Sequence, residues 1–137
     1  MKFTELKTPC YVIDEQKLIK NLEILKSVQD RTGCKILLAQ KAFSAFCVYP
    51  IMSKYLSGTT ASGLYEAKLG HECFGKETHI FAPAFKENDF EEILKICGHI
   101  VFNSFSQLEK YRDKWQNADV SVGIPVSYTH LRAHETL

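Results

Sequence analysis

No stretch of this chain is long and apolar enough to span a bilayer, and residues 1–5 lack the apolar core of a secretory signal. Charge of one sign is missing as well. Lys and Arg total 17 against 16 Asp and Glu, a net charge of +1. That balance excludes the electrostatic footprint of a nucleic-acid binder and the basic amphipathic face of a membrane-surface protein. Paired cysteines are lacking too: Cys10, Cys34, Cys47, Cys73 and Cys97 are odd in number, widely scattered, and contain no Cys-x-x-Cys. They read as small buried apolar residues in a reducing cytoplasm, not as a disulfide framework or a zinc site, and no metal is expected.

What is present suits one globular domain: 137 residues with 45% hydrophobic content can bury a core. The pattern alternates helix and strand. Asp14 caps a helix with the apolar stripe Leu18, Leu22, Leu25 and Val28, and Gly33 stops it. Residues 36–39 are a short continuous apolar run, the form of a strand buried on both faces. Pro50 opens a helix carrying Ile51, Met52, Tyr55 and Leu56, with Gly58 just past its end. A strand of small residues over 58–61 precedes a helix over 64–69 that Gly70 ends. Residues 79–82 form the next strand, Asn88 or Asp89 caps a helix with Phe90, Ile93, Leu94 and Cys97, and residues 100–102 form another strand. Ser106-Gln107-Leu108-Glu109 is a capping box opening a helix with Leu108, Tyr111 and Trp115, and residues 120–124 are the last strand. Strands separated by helices at this spacing imply right-handed βαβ units and a parallel sheet. From these features alone, an open doubly wound sheet and half of a closed barrel are equally compatible.

Lys41 follows the run 36–39 directly, at the C-terminal mouth of a parallel strand, where α/β-barrel enzymes keep their chemistry. Apolar walls disfavour its ammonium, and a neutral amine there can condense with a carbonyl. By position alone it reads more readily as a strand-end lysine reaching for solvent. The surrounding letters alter that balance.

Leu38-Ala39-Gln40-Lys41-Ala42-Phe43-Ser44 resembles the Schiff-base segment of the alanine-racemase-like (fold-type III) pyridoxal-phosphate enzymes, the (β/α)8-barrel decarboxylases and racemases. Gln40 and Phe43-Ser44 depart from the common pattern, and Lys-Ala-Phe-Ser is most similar to the polyamine-pathway branch, the carboxynorspermidine (carboxyspermidine) decarboxylases. Thr8-Pro9-Cys10-Tyr11-Val12-Ile13-Asp14, Thr60-Ala61-Ser62-Gly63-Leu64-Tyr65-Glu66-Ala67-Lys68-Leu69-Gly70, His79-Ile80-Phe81-Ala82-Pro83-Ala84 and Val101-Phe102-Asn103-Ser104 match in family order.

The resemblance implies an α/β fold, the N-terminal part of a pyridoxal-phosphate-binding (β/α)8 TIM barrel over residues 1–124, truncated and without the antiparallel β-domain. A complete barrel takes about 250 residues. It implies that Lys41 holds the cofactor and that Ser62 and Glu66 form a polar wall of its pocket. Thr59 and Thr60 stand where relatives often carry Asp, and the Ser-to-Glu spacing is one residue longer. The alternative for this pair is a helix cap at Ser62 and a surface carboxylate at Glu66. His79 is expected to be structural, Ser104 to cap a helix, Asn103 to face the catalytic mouth, and Phe43 to line either pocket or core. No Gly-rich phosphate loop and no acidic partner for a pyridine nitrogen is visible; the resemblance places both later in the family's sequence.

Residues 125–137 leave the family pattern and read as a non-native tail, similar to translated adapter sequence. His130 and His134 stand at i, i+4 with no third ligand at motif spacing, so no metal is expected there. The implied function is decarboxylation of carboxynorspermidine or carboxyspermidine, small carboxylated triamines, to norspermidine or spermidine, by a cytoplasmic homodimer, with this fragment inactive alone. The alternatives are a diaminopimelate or ornithine decarboxylase, an amino-acid racemase, or a non-catalytic single-domain barrel that binds pyridoxal phosphate.

Overall fold

A computed structural model describes residues 5–125. The first helix, α1 (Glu15–Thr32), starts where the Asp14 carboxylate accepts the Lys17 N–H at 3.1 Å, and ends at Gly33, whose φ of 72° suits a residue without a Cβ. Leu22 is its buried anchor, with Leu18 packed alongside; Leu25, expected in the same stripe, is 37% exposed. Strand β1 (Leu37–Ala39) follows, then a 3₁₀ turn (Phe46–Val48) and the short helix α2 (Tyr49–Met52). Pro50 sits in the first turn of α2, but the helix opens at Tyr49, one residue ahead of it, and stops at Met52. Beyond it Lys54 N–H reaches Ile51 O and Tyr55 N–H reaches Met52 O, so Tyr55 and Leu56 lie in tight turns and not on a helix.

Strand β2 (Gly58–Ala61) leads into α3 (Leu64–Leu69), and here Gly70 does not act as a stop. The chain widens into a π turn (Gly70–Phe74) that Gly75 ends at φ 70°. Gly70 is required by proximity: a Cβ there would lie 2.3 Å from Thr59 Oγ1 and 2.9 Å from Gln40 Nε2. Strand β3 (Glu77–Ala82) begins two residues ahead of His79, and α4 (Glu87–Ile96) begins after Lys86, ahead of both expected caps. Strand β4 (His99–Phe102) gains His99 at its start. The next helix, α5 (Phe105–Lys110), is capped by Ser104, as expected of that residue, and not by the Ser106 capping box; Ser104 Oγ accepts the Gln107 N–H at 3.2 Å and Gln107 Oε1 accepts the Asn103 N–H at 2.7 Å. Tyr111 interrupts it with φ −105°, and α6 (Arg112–Trp115) leads to β5 (Ser121–Gly123), shorter than expected.

All strand pairs are parallel, and the five-stranded sheet runs in the order β1-β2-β3-β4-β5, each strand beside its successor. One face is covered by helices: Leu38, Ala61, Ile80, Ala82, Ile100 and Phe102 are buried there. The alternate positions Leu37, Ala39, Thr60, Glu77, His79, His99 and Val101 are half-buried on the opposite face. A doubly wound sheet reverses its strand order and covers both faces. Consecutive order with one covered face is the winding of a barrel arc, which decides between the two folds left open by the sequence.

Two cores hold the arc. One joins Leu22, Leu38, Tyr49, Met52, Leu56 and Phe74. The other is built on Phe85, Phe90, Phe102 and Tyr111, with the Phe90 and Tyr111 rings stacked 4.1 Å apart and the Tyr111 hydroxyl donating to Phe85 O at 2.7 Å. Burying a side chain such as Phe90 contributes about 1.5–3 kcal/mol. The cysteines differ from expectation: Cys97 is buried, whereas Cys10, Cys34, Cys47 and Cys73 are exposed. These four lie in connections and turns, where the backbone itself runs at the surface. Pro125 is the last described residue, so the remaining tail, with His130 and His134, lies outside the described part.

Candidate active site

Lys41 sits in the turn that closes β1. Ala42 N–H and Phe43 N–H both reach back to Ala39 O, at 3.0 and 3.2 Å, while Gln40 N–H extends the sheet to Thr60 O at 3.1 Å. Alternation across the strand sends Gln40 to the helix side and Lys41 to the open inner face. Gln40 is only 1% exposed; its Nε2 donates to Glu66 O at 2.8 Å and its Oε1 accepts the Tyr49 hydroxyl at 3.2 Å. Burial pushes the Tyr49 phenol above its ordinary pKa, with Cys73 and Glu66 adding to the shift, so it remains a proton donor to Gln40. This departure from the family pattern is thus a buried cross-brace directly beneath Lys41.

On the inner face Lys41 shares a recess of about 180 Å³ with Ala39, Thr60, Ala61, Ser62 and Phe81. The structure therefore brings Lys41 and Ser62 together and adds Phe81, a wall that its place in an apolar run did not reveal. Glu66 is not in the recess. Its carboxylate accepts the Ser62 N–H at 2.6 Å and fastens the loop after β2. Ser62 does not cap α3 with its side chain; Gly63 holds the cap position, and the Ser62 side chain is left beside Lys41. Phe43 packs against the Leu22–Leu38–Tyr49 core, away from the recess lining. Asn103 contributes its backbone to the α5 cap.

Lys41 is solvent-exposed, contrary to the expected enclosure by apolar walls. The reason is geometric: the recess has walls from β1, β2 and β3 alone, and its volume falls below the roughly 300–1,000 Å³ of an enclosed small-molecule site. The lining fits one side of a pyridoxal-phosphate pocket. It supplies a primary amine, a hydroxyl and the flat apolar face of Phe81, but no carboxylate and no guanidinium. His79, expected to be structural, is the third residue of β3 and stacks on His99.

No family model matches the chain. Among characterised proteins, it is 43% identical over 106 residues to a carboxynorspermidine/carboxyspermidine decarboxylase of Herminiimonas arsenicoxydans, covering 77% of this chain and 29% of that protein. It is 41% identical over 129 residues to the protein of the same name from Campylobacter jejuni subsp. jejuni, covering 94% and 34% respectively. A carboxyaminopropylagmatine decarboxylase of Synechocystis sp. is 36% identical over 126 residues, covering 92% and 33%. The crystal structure of carboxynorspermidine decarboxylase complexed with norspermidine from Campylobacter jejuni superposes with a TM-score of 0.83 at 45% identity, over 86% of this chain and 32% of that one. The chain thus spans about a third of the length of the relatives it matches.

Proposed function

We propose that this chain, a homologue of the carboxynorspermidine/carboxyspermidine decarboxylases over about a third of their length, supplies the lysine-bearing wall of a pyridoxal-phosphate-dependent decarboxylase acting on a carboxylated triamine. The observation that carries this reading is Lys41 at the C-terminal end of β1, beside Ser62 and Phe81, on the inner face of a barrel-type sheet. The norspermidine in the related crystal structure supports a triamine as the molecule handled. The reaction converts carboxynorspermidine to norspermidine, or carboxyspermidine to spermidine, with release of carbon dioxide. The carboxyaminopropylagmatine relative favours a second substrate reading, a carboxylated chain ending in a guanidinium.

Bound cofactor supplies an electron sink for the pair left when the bond between Cα and the carboxylate breaks. The residues of this chain do the rest. Lys41 would hold the cofactor through its amine and would return a proton to the substrate carbon. Phe81 offers an apolar face for a flat ring, and Ser62 a hydroxyl at its rim. Gln40 and Glu66 fix the two loops that carry Lys41 and Ser62. The working enzyme is read as a cytoplasmic homodimer, in keeping with a recess that needs walls beyond those described; no described helix is long and apolar enough to cross a membrane.

Borohydride reduction of the chain with pyridoxal phosphate, followed by peptide mapping, should place the pyridoxyl label on Lys41; a label on Lys35 or Lys54 instead would overturn the assignment. Substrate choice is read separately, in a hybrid where these residues replace the matching third of the Campylobacter enzyme. Carbon dioxide release should favour the carboxylated triamines over ornithine and diaminopimelate.

A further inference from the structure

The inner face carries a second group of donors that the Lys41 recess does not use. His79 and His99 are register partners on β3 and β4, and their rings stack with centroids 4.0 Å apart and 28° between planes. Glu77 lies two residues before His79 on the same face, with its Oε2 3.3 Å from His79 Nε2. One ligand atom from each of the three lies within 4.8 Å of the other two, and all three side chains are half-buried. We propose that Glu77, His79 and His99 form a site for a divalent cation of the zinc class, clamping β3 to β4 on the inner face of the sheet.

The protonation states suit such an ion. Burial holds His79 below its ordinary pKa and the neighbouring His99 acts in the same direction, outweighing the pull of Glu77, so its imidazole keeps a free lone pair at neutral pH. Lys35, ion-paired to Glu77 Oε1, holds that carboxylate below its usual range, so it is ionised, and leaves Oε2 turned to the histidines. Two imidazoles and one carboxylate make the donor set of a three-ligand site with an open position for water. Metal–donor bonds of about 2.0–2.2 Å call for donors about 3.4 Å apart. The cation takes the place of the His79–Glu77 hydrogen bond, and rotation of the imidazoles and the carboxylate draws the three atoms together.

Titration of chelator-stripped chain with Zn(II), and with Co(II) for its visible spectrum, should give one saturable equivalent with imidazole ligation. His79→Ala and His99→Ala should each weaken binding by about tenfold or more. Lys35→Ala should tighten it several-fold, because a competing positive charge leaves the carboxylate; a histidine pair elsewhere would not respond. A chain with both His130→Ala and His134→Ala should bind as the parent does. Absence of a saturable equivalent, parent-like affinity in the His79 and His99 variants, or loss of binding in the tail variant would each overturn the site.

Discussion

Gln40 shows how a single side chain prepares the position next to it. Truncation by Gln40→Ala strands the buried Tyr49 hydroxyl and takes one of two donors from Glu66 O, which keeps the Gly70 N–H. Leaving buried polar groups unpaired costs about 1–3 kcal/mol, and the denaturant midpoint should fall accordingly at unchanged slope. Thr78 is the converse: its buried hydroxyl has no partner among the described residues. Thr78→Val keeps the β-branched shape and should raise stability by about 1 kcal/mol in the same assay. Burial also pushes the Cys97 thiol from an ordinary value near 9.0 up to about 12. A raised folded-state pKa gives stability that is complete below pH 9.0 and is lost as pH climbs towards about 12. Cys97→Ala should therefore flatten that alkaline decline, and in the native chain a thiol reagent should modify the four exposed cysteines and spare Cys97 until unfolding. The position of Lys41 at the end of β1 was legible in the sequence because the apolar run before it is local. The Gln40 brace and the Phe81 wall were not, since each acquires its place from partners on other elements, and Glu66 was named but takes the Ser62 N–H instead of lining the recess. His79 and His99 illustrate the limit: twenty positions apart, they meet only through strand register.

At the scale of elements, apolar runs and caps carried most of the legible signal. Four strands were found from short apolar stretches and β2 from a run of small residues, but β3 and β4 start earlier than expected because Glu77 and His99 are polar residues on the inner face. The α5 start was misplaced because two serines fit the same cap pattern, Ser104 with Gln107 and Ser106 with Glu109. Spacing could not choose; the chain leaving β4 does. Ser104→Ala should cost about 1 kcal/mol and Ser104→Gly only a few tenths, measured as thermal midpoints, while Ser106→Ala should change little. Gly70 was misread for a related reason. Glycine after an apolar helix signals a stop, yet here it admits close contact with Thr59 and Gln40. Gly70→Ala should destabilise the chain more than any substitution at Gly63, where a Cβ meets nothing within 4 Å.

Across the whole molecule, β1 and β5 each have one neighbour among the described residues, so both ends of the sheet offer unpaired backbone groups. Open parallel edges recruit other chains, and Tyr11, Phe46, Tyr65 and Phe105 add exposed apolar surface. Light scattering on residues 1–137 should report association, and carbon dioxide release from carboxynorspermidine should be absent, since the Lys41 recess is walled on one side. A monomer with turnover near that of the Campylobacter enzyme would refute both expectations. The winding order has a further consequence, for the way the arc assembles. Because each strand pairs with the one made just before it, a nascent chain leaving the ribosome never has to wait for a later strand to seat an earlier one. Each βα unit can dock as it emerges, loop closure stays short, and growth proceeds from β1 outward. The Gln40 brace closes only once the loop after β2 and α3 have followed, a full unit after Gln40 itself is synthesised.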